Sequence, residues 1–68
     1  MENKIKICKL LLPLLQATRA GEDIESLTYF TNQNNEFICI KFKTGYKRNV
    51  NITADSGIAI IIDVLKYI

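Results

Sequence analysis

Two runs of alternating apolar and polar residues constrain this chain more than any other feature. The runs are residues 36–43 and 46–52, and Thr44–Gly45 separates them. Their apolar positions are Ile38, Ile40 and Phe42 in the first run, and Val50 and Ile52 in the second. A period of two places these side chains on one face of a strand, and a short Gly-containing connection is typical of a hairpin. The pattern predicts two antiparallel strands whose apolar face must be covered.

A third strand is predicted before this hairpin. Residues 24–31 are rich in Thr, Tyr, Phe and Ile, which favour strands. The four residues Asn32–Asn35 are typical of a turn, because Asn tolerates positive φ and bonds its own backbone. We therefore predict a three-stranded antiparallel meander.

The first segment, residues 3–20, has a wide apolar face and one polar stripe, which predicts an amphipathic helix. The stripe consists of Glu2, Lys6, Lys9, Pro13, Gln16 and Ala20, spaced three or four residues apart. Pro13 costs about 3 kcal/mol inside a helix, but within the stripe it bends the helix convex toward solvent. A helix that begins near Leu10 is the alternative. We expect Gly21 to end the helix.

A second helix is predicted over about Ala54 to Tyr67. Its apolar residues repeat at helical spacing, namely Ile58, Ile61, Ile62, Leu65 and Ile68. We expect Thr53 to be the N-cap, and Asp55 in the first turn to suit the helix dipole. Residues 58–64 alone would also fit a strand, but the polar face and the cap favour a helix.

The predicted element order is α-β-β-β-α, in a single domain over residues 1–68. Two amphipathic helices need an apolar surface, and one sheet face offers it. We therefore expect a two-layer α+β fold with both helices on that face. A chain this short buries only about 60% of the surface that its unfolded form exposes. Its stability is expected to be modest or helped by a partner.

The composition excludes several classes of protein. Half of the 68 residues are hydrophobic (49%) and the net charge is only +2, which excludes a disordered chain. No apolar stretch reaches the roughly 18 residues of a membrane-spanning helix, so we expect no membrane partner. The pI near 8.6 is mildly basic, and it neither requires nor excludes nucleic acid.

The two cysteines, Cys8 and Cys39, lie among apolar residues, and their spacing matches no zinc or redox motif. We expect two buried free thiols in a reducing compartment. The N-terminal Met-Glu-Asn-Lys does not resemble a signal peptide. The sequence therefore predicts a cytoplasmic protein.

Catalytic residues are scarce. The chain has no His, which is the commonest general base, and Ser26 and Ser56 have no evident base partner. Apolar surroundings raise the pKa of a thiol, so neither cysteine is an expected nucleophile. Thr53–Gly57 could place backbone N–H groups around a phosphate, but its Asp55 would repel the anion, and ordinary capping is expected. We predict no enzyme activity, cofactor, metal or small-molecule substrate.

One face of the predicted sheet stays open. Its residues are Phe37, Cys39, Lys41, Lys43, Lys47, Asn49 and Asn51. We predict that a protein partner or a second copy binds there around Phe37 and Cys39, with the lysines at the edge. Nucleic acid is the alternative. In that case Lys41, Lys43, Lys47 and Asn49 follow the phosphates while Phe37 stacks on a base.

The element order and the length resemble the double-stranded-RNA-binding domain. That family has Gly-Pro-x-His in its first strand loop, where this chain has Asn32–Asn35. It has lysines at the start of its second helix, where this chain has Thr53–Gly57. The resemblance therefore implies a topology and no binding residues. The abundance of Ile, Asn and Lys is also similar to small proteins of conjugative transposons and prophages in low-GC Gram-positive bacteria, which implies an accessory role.

Overall fold

The computed structural model describes residues 3–68, which form two helices and one sheet. The elements are α1 (Lys4–Gln16), β1 (Ile24–Asn32), β2 (Asn35–Phe42), β3 (Lys47–Asn51) and α2 (Ile58–Leu65). The strands lie in the order β1-β2-β3 and both neighbouring pairs are antiparallel. The predicted α-β-β-β-α order and the meander are confirmed. Within residues 3–68, neither helix is long and apolar enough to cross a membrane.

Helix α1 begins where the sequence predicts. The side chain of Asn3 caps it, since its Oδ1 accepts a hydrogen bond from the Lys6 amide at 2.9 Å. The helix continues through Pro13, which is exposed to solvent, as expected for the polar stripe. A start near Leu10 is therefore wrong.

Helix α1 ends at Gln16, four residues before the predicted Ala20. The Thr18 hydroxyl donates to the carbonyl of Leu15 at 2.7 Å, and the Thr18 amide donates to the same oxygen. Gly21 is not the helix stop but is required by a close contact. A Cβ at this position would lie 2.2 Å from the Leu15 carbonyl oxygen.

The β1–β2 hairpin has a two-residue turn. The positive φ, 57°, belongs to Gln33 and not to one of the Asn residues that the sequence favours for it. The register shifts between Ile24 and Ser26, which indicates a bulge. Because of this shift, Ile24 and Leu27, three residues apart, are both buried. Strict alternation along β1 could not place them both in the core.

The β2–β3 turn follows the Thr44–Gly45 prediction. Gly45 has φ 94°, and its amide donates to the Phe42 carbonyl at 2.9 Å. The Phe42 amide in turn donates to the Tyr46 carbonyl at 2.8 Å. Lys43 belongs to this turn and not to β2, and its amide donates to the Asp23 carbonyl at 2.8 Å.

The core lies between the sheet and the two helices, which pack on one face as predicted. Its buried members are Cys8, Leu11 and Leu15 of α1; Ile24, Leu27, Ile38, Ile40, Val50 and Ile52 of the sheet region; and Ile60 and Val64 of α2. The strand parity is confirmed, although Phe42 is only half-buried.

Helix α2 begins at Ile58, four residues later than predicted, and ends at Leu65. The expected N-cap, Thr53, lies outside the helix, because its hydroxyl oxygen accepts from the Glu36 amide at 2.8 Å. Gly57 occupies the cap position with φ 42° and makes no side-chain cap bond. The predicted capping by Thr53 and the first-turn placement of Asp55 are therefore wrong. Thr53–Gly57 is also no helix N-terminus for an anion.

Arg48 lies on β3, which is an edge strand of the sheet. It shares the core-side parity of β3, and its guanidinium lies 4.9 Å from the Tyr67 ring centroid. It also donates to the Tyr46 hydroxyl at 3.0 Å. These contacts tie β3 to the C-terminal end of α2.

Replacing Ile40 tests the core assignment. Ile40 is fully buried, so we expect Ile40→Asp to unfold the domain by burying an unpaired charge. That cost of several kcal/mol is comparable with the stability of a small domain, about 5 kcal/mol. Lys43→Ala in the exposed turn is the matched control and should keep the wild-type urea midpoint. A folded Ile40→Asp variant, judged by circular dichroism, would contradict the strand parity.

Candidate binding surfaces

The open face of the sheet carries three cross-strand rows. The rows are Ser26–Lys41–Lys47, Thr28–Cys39–Asn49 and Phe30–Phe37–Asn51. The structure thus brings together four of the predicted residues, Phe37, Lys41, Lys47 and Asn49. The fifth, Lys43, is exposed in the neighbouring turn and outside the sheet.

The aromatic row contains a residue that sequence reasoning missed. The Phe30 and Phe37 rings stack with centroids 5.3 Å apart and an interplanar angle of 16°. Each ring is half-buried, partly by the other. The sequence does not predict Phe30 on the open face, because the bulge in β1 breaks the alternation from which the face of each residue is read. Its pairing opposite Phe37 is the signal that reveals it.

The basic row at the other end is less positive than predicted. Lys41 and Lys47 lie opposite each other on β2 and β3. However, the Lys41 ammonium forms an ion pair with Glu25 Oε2 at 2.9 Å. Among residues 3–68, Lys47 makes no ion pair, and it is exposed. The open face therefore presents one paired and one unpaired lysine.

The two cysteines lie on opposite sides of the sheet. Cys8 is buried in the core, and burial raises the pKa of its thiol, as predicted. Cys39 is only half-buried on the open face, so the prediction that both thiols are buried is wrong. Both are free, and the sheet between them prevents a disulfide.

A second surface lies on the solvent side of the helix layer. Here a groove of about 180 Å³ runs between α1 and α2, and we call it the helix-layer groove. Its lining is entirely aliphatic and consists of Ile7, Leu10, Leu11, Leu14 and Ile61. Leu10 and Leu14 are 64% and 65% exposed, high values for leucines. The apolar face of α1 is thus wider than the sheet can cover.

Helix α2 extends this apolar surface. Ile58 and Leu65 lie about one helical turn on either side of Ile61, which lines the groove. Ile58, Ile62 and Leu65 are 70%, 50% and 48% exposed. These three residues, together with Leu10 and Leu14, are five of the six large aliphatic side chains that are exposed among the described residues, and the sixth is Ile5.

The charged side chains of α1 are all positive. Helix α1 contains Lys4, Lys6 and Lys9 and no acidic residue. Lys6 and Lys9 are exposed and make no ion pair among residues 3–68. On α2, the Lys66 ammonium lies 3.3 Å from Asp63 Oδ1. Of the two exposed α1 lysines, Lys6 lies one helical turn before Leu10, whereas Lys9 lies one turn after Ile5 on the other side of α1.

Glu36 joins α1 to the sheet. Its Oε1 lies 2.6 Å from the Lys4 ammonium, and its Oε2 accepts from the Tyr29 hydroxyl at 2.5 Å. The Lys4 and Tyr29 hydrogen bonds lower the pKa of Glu36, and the Glu36 hydrogen bond raises the pKa of Tyr29. This arrangement fixes the start of α1 over β2. Among the described residues, no nucleophile or general base lies beside it.

Asp55 and Asp63 form a carboxyl pair between the segment before α2 and α2 itself. The hydrogen bond between them raises the pKa of Asp55 and lowers the pKa of Asp63. Lys66 also lowers the pKa of Asp63, and Lys4 and Lys66 oppose the rise at Asp55. Asp55 Oδ2 is buried and meets no hydrogen-bond donor among the described residues.

Comparison with known proteins identifies no relative of this chain. No protein-family model matches it, and no curated protein and no solved structure matches it. Within residues 3–68, no group of three or more His, Cys, Asp or Glu side chains is arranged to hold a metal ion. The functional argument therefore depends on the two surfaces.

The carboxyl pair predicts a pH-dependent effect of Asp55→Asn. The raised pKa of Asp55 contributes stability below its ordinary value of 3.8, and this is lost as pH rises through the folded pKa. Once Asp55 is ionised, the two carboxylates repel each other, whereas an Asn amide donates to Asp63 at any pH. We expect Asp55→Asn to raise the urea midpoint at pH 7, with a smaller gain near pH 3.8.

Asp23→Asn is the matched control, since it removes the same charge at an exposed site that is not part of the Asp55–Asp63 pair. It should leave the midpoint nearly unchanged at both pH values. A lower midpoint for Asp55→Asn at pH 7 would contradict the assigned repulsion between Asp55 and Asp63.

Proposed function

We propose that this chain is a non-enzymatic module that binds another protein through the helix-layer groove. The exposure of Leu10 and Leu14 beside Ile61 carries the proposal. Soluble monomers rarely leave several large aliphatic side chains exposed side by side, and such patches are often functional. A concave aliphatic surface between two helices is also a common receptor for a partner's side chains.

The exposed area supports an interface of modest size. Leu10, Leu14, Ile58, Ile62 and Leu65 are each about half exposed or more. At about 100 Å² for each aliphatic side chain, they expose roughly 300 Å² of apolar surface. Covering this surface stabilises a complex by several kcal/mol before the costs of association are subtracted.

The open sheet face, where the sequence analysis placed the partner, remains a second predicted surface. Its apolar members Phe30, Phe37 and Cys39 are already half-buried. They therefore gain less from a partner than Leu10 and Leu14 do. This difference in exposure is the reason to prefer the groove.

A cytoplasmic location is part of the same proposal. Cys8 and Cys39 are free thiols on opposite sides of the sheet and cannot pair with each other. A chain without a disulfide suits a reducing compartment.

Site-specific photo-crosslinking in the cells that produce this protein tests the proposal. We replace Leu14 in the groove by the photoreactive residue benzoylphenylalanine and irradiate. The exposed side chain at this position should tolerate the change. We expect a covalent product with one other polypeptide, detected by electrophoresis and identified by mass spectrometry.

The same replacement at Ile5 is the matched control. Ile5 is also exposed, at 53%, but it lies nine residues from Leu14 and thus on the opposite side of α1. It should give no such product. Equal yields at the two positions, or a protein product only from Asn49 on the open face, would contradict a partner in the groove.

Nucleic-acid binding on the open face is a second candidate function. It is favoured by the Phe30–Phe37 pair on the same face as Lys47 and Asn49. Aromatic rings with lysines and amides on a sheet are a known way to hold single-stranded nucleic acid. The pairing of Lys41 with Glu25 weighs against it.

An NMR titration with short DNA and RNA oligonucleotides tests this second candidate. If it is correct, amide shifts should be confined to Phe37, Lys41, Lys47 and Asn49, and should weaken at higher salt because counterions are released on binding. The Lys43 amide reports whether the turn takes part. Unchanged spectra at low salt would eliminate this candidate.

A further inference from the structure

We propose that the partner element in the helix-layer groove is an amphipathic helix whose flanking residues are acidic. This inference rests on the proposed function and specifies the partner's chemistry. Two observations carry it, the shape of the groove between α1 and α2 and the sign of the charges beside it.

The groove suits the apolar side of a single helix. It runs between two helices and has a volume of about 180 Å³. A cavity of about 150 Å³ accommodates a group the size of benzene, so this groove takes one large side chain such as Leu or Phe. Further apolar residues, three or four positions along a bound helix, would cover Ile58 and Leu65.

The charges select an acidic partner. Lys6 is exposed and lies one helical turn before Leu10 on the same side of α1. Lys9 lies one turn after Ile5, on the side of α1 away from the groove. Neither lysine has an ion-pair partner among residues 3–68, and α1 has no acidic residue. An acidic residue beside the apolar stripe of a bound helix would complement Lys6.

The same charges oppose a second copy of this chain. A parallel pairing of two grooves through α1 would place Lys6 of one copy near Lys6 of the other. The acidic residue of α2, Asp63, is already paired with Lys66. Like charges at an interface cost affinity, so self-association in this geometry is disfavoured.

Synthetic peptides test the inference directly. The probe is a helical peptide of about four turns, with Leu at every third or fourth position and Glu on both sides of that stripe. A second peptide has Lys in place of Glu. Isothermal titration and NMR with the labelled chain measure both affinities. We expect the acidic peptide to bind more tightly, with shifts at Leu10, Leu14 and Ile61.

Variants locate and characterise the contact. Leu14→Asp should weaken binding of the acidic peptide roughly ten-fold or more, as truncation of a central contact does. Ile5→Asp, an equally exposed site outside the groove, should leave the affinity within about two-fold. Lys6→Glu should remove the preference for the acidic peptide, whereas Lys9→Glu, on the other side of α1, should change it less. Circular dichroism confirms that each variant is folded.

Three results would overturn the inference. The first is equal affinity for both peptides, or no detectable binding of either peptide. The second is sedimentation of the chain with vesicles of phosphatidylcholine and phosphatidylserine, lost in Leu14→Asp, when no peptide binds. The third is a dimer in analytical ultracentrifugation that Leu14→Asp converts to a monomer. If photo-crosslinking at position 14 still identifies a protein, the proposed function stands and only the acidic helix is wrong.

Discussion

Burial of the central strand organises this molecule. Strand β2 lies between β1 and β3, and its Ile38 and Ile40 are completely shielded from water. Both helices reach the core through residues that pack on this side of the sheet, such as Leu11 and Val64. Because a chain of 68 residues forms one thin core, every element depends on this single apolar face. The opposite face, with Cys39 and Asn49, remains open as a consequence.

The sequence predicts most of the fold, because alternation and helical spacing are local signals. It locates both hairpins and the buried parity of Ile38, Ile40 and Val50. It fails where long-range contacts decide. Thr53 looks like a helix cap, but Glu36, distant in the sequence, binds its hydroxyl. Helix α2 consequently starts after Gly57, whose positive φ is outside the helical backbone conformation.

The candidate surfaces were predicted only in part. Phe37, Lys41, Lys47 and Asn49 share the open face, because strand parity is readable from the sequence. The groove was not foreseen, although the apolar width of α1 was. Whether Leu10 and Leu14 are covered depends on how much of the helix the sheet reaches, which no spacing rule reveals. Only the packed structure separates a core leucine such as Leu11 from its exposed neighbour.

The uncapped start of α2 has a consequence for dynamics. Its first N–H groups receive no side-chain acceptor from Gly57, and the helix has only eight residues. Its attachment relies on Ile60, Val64 and the stacking of Arg48 on Tyr67. Segments of this kind open locally before the rest of a domain unfolds. Since α2 forms one side of the groove, a bound partner would also slow the hydrogen exchange of that helix, and part of its binding energy would hold the helix in place.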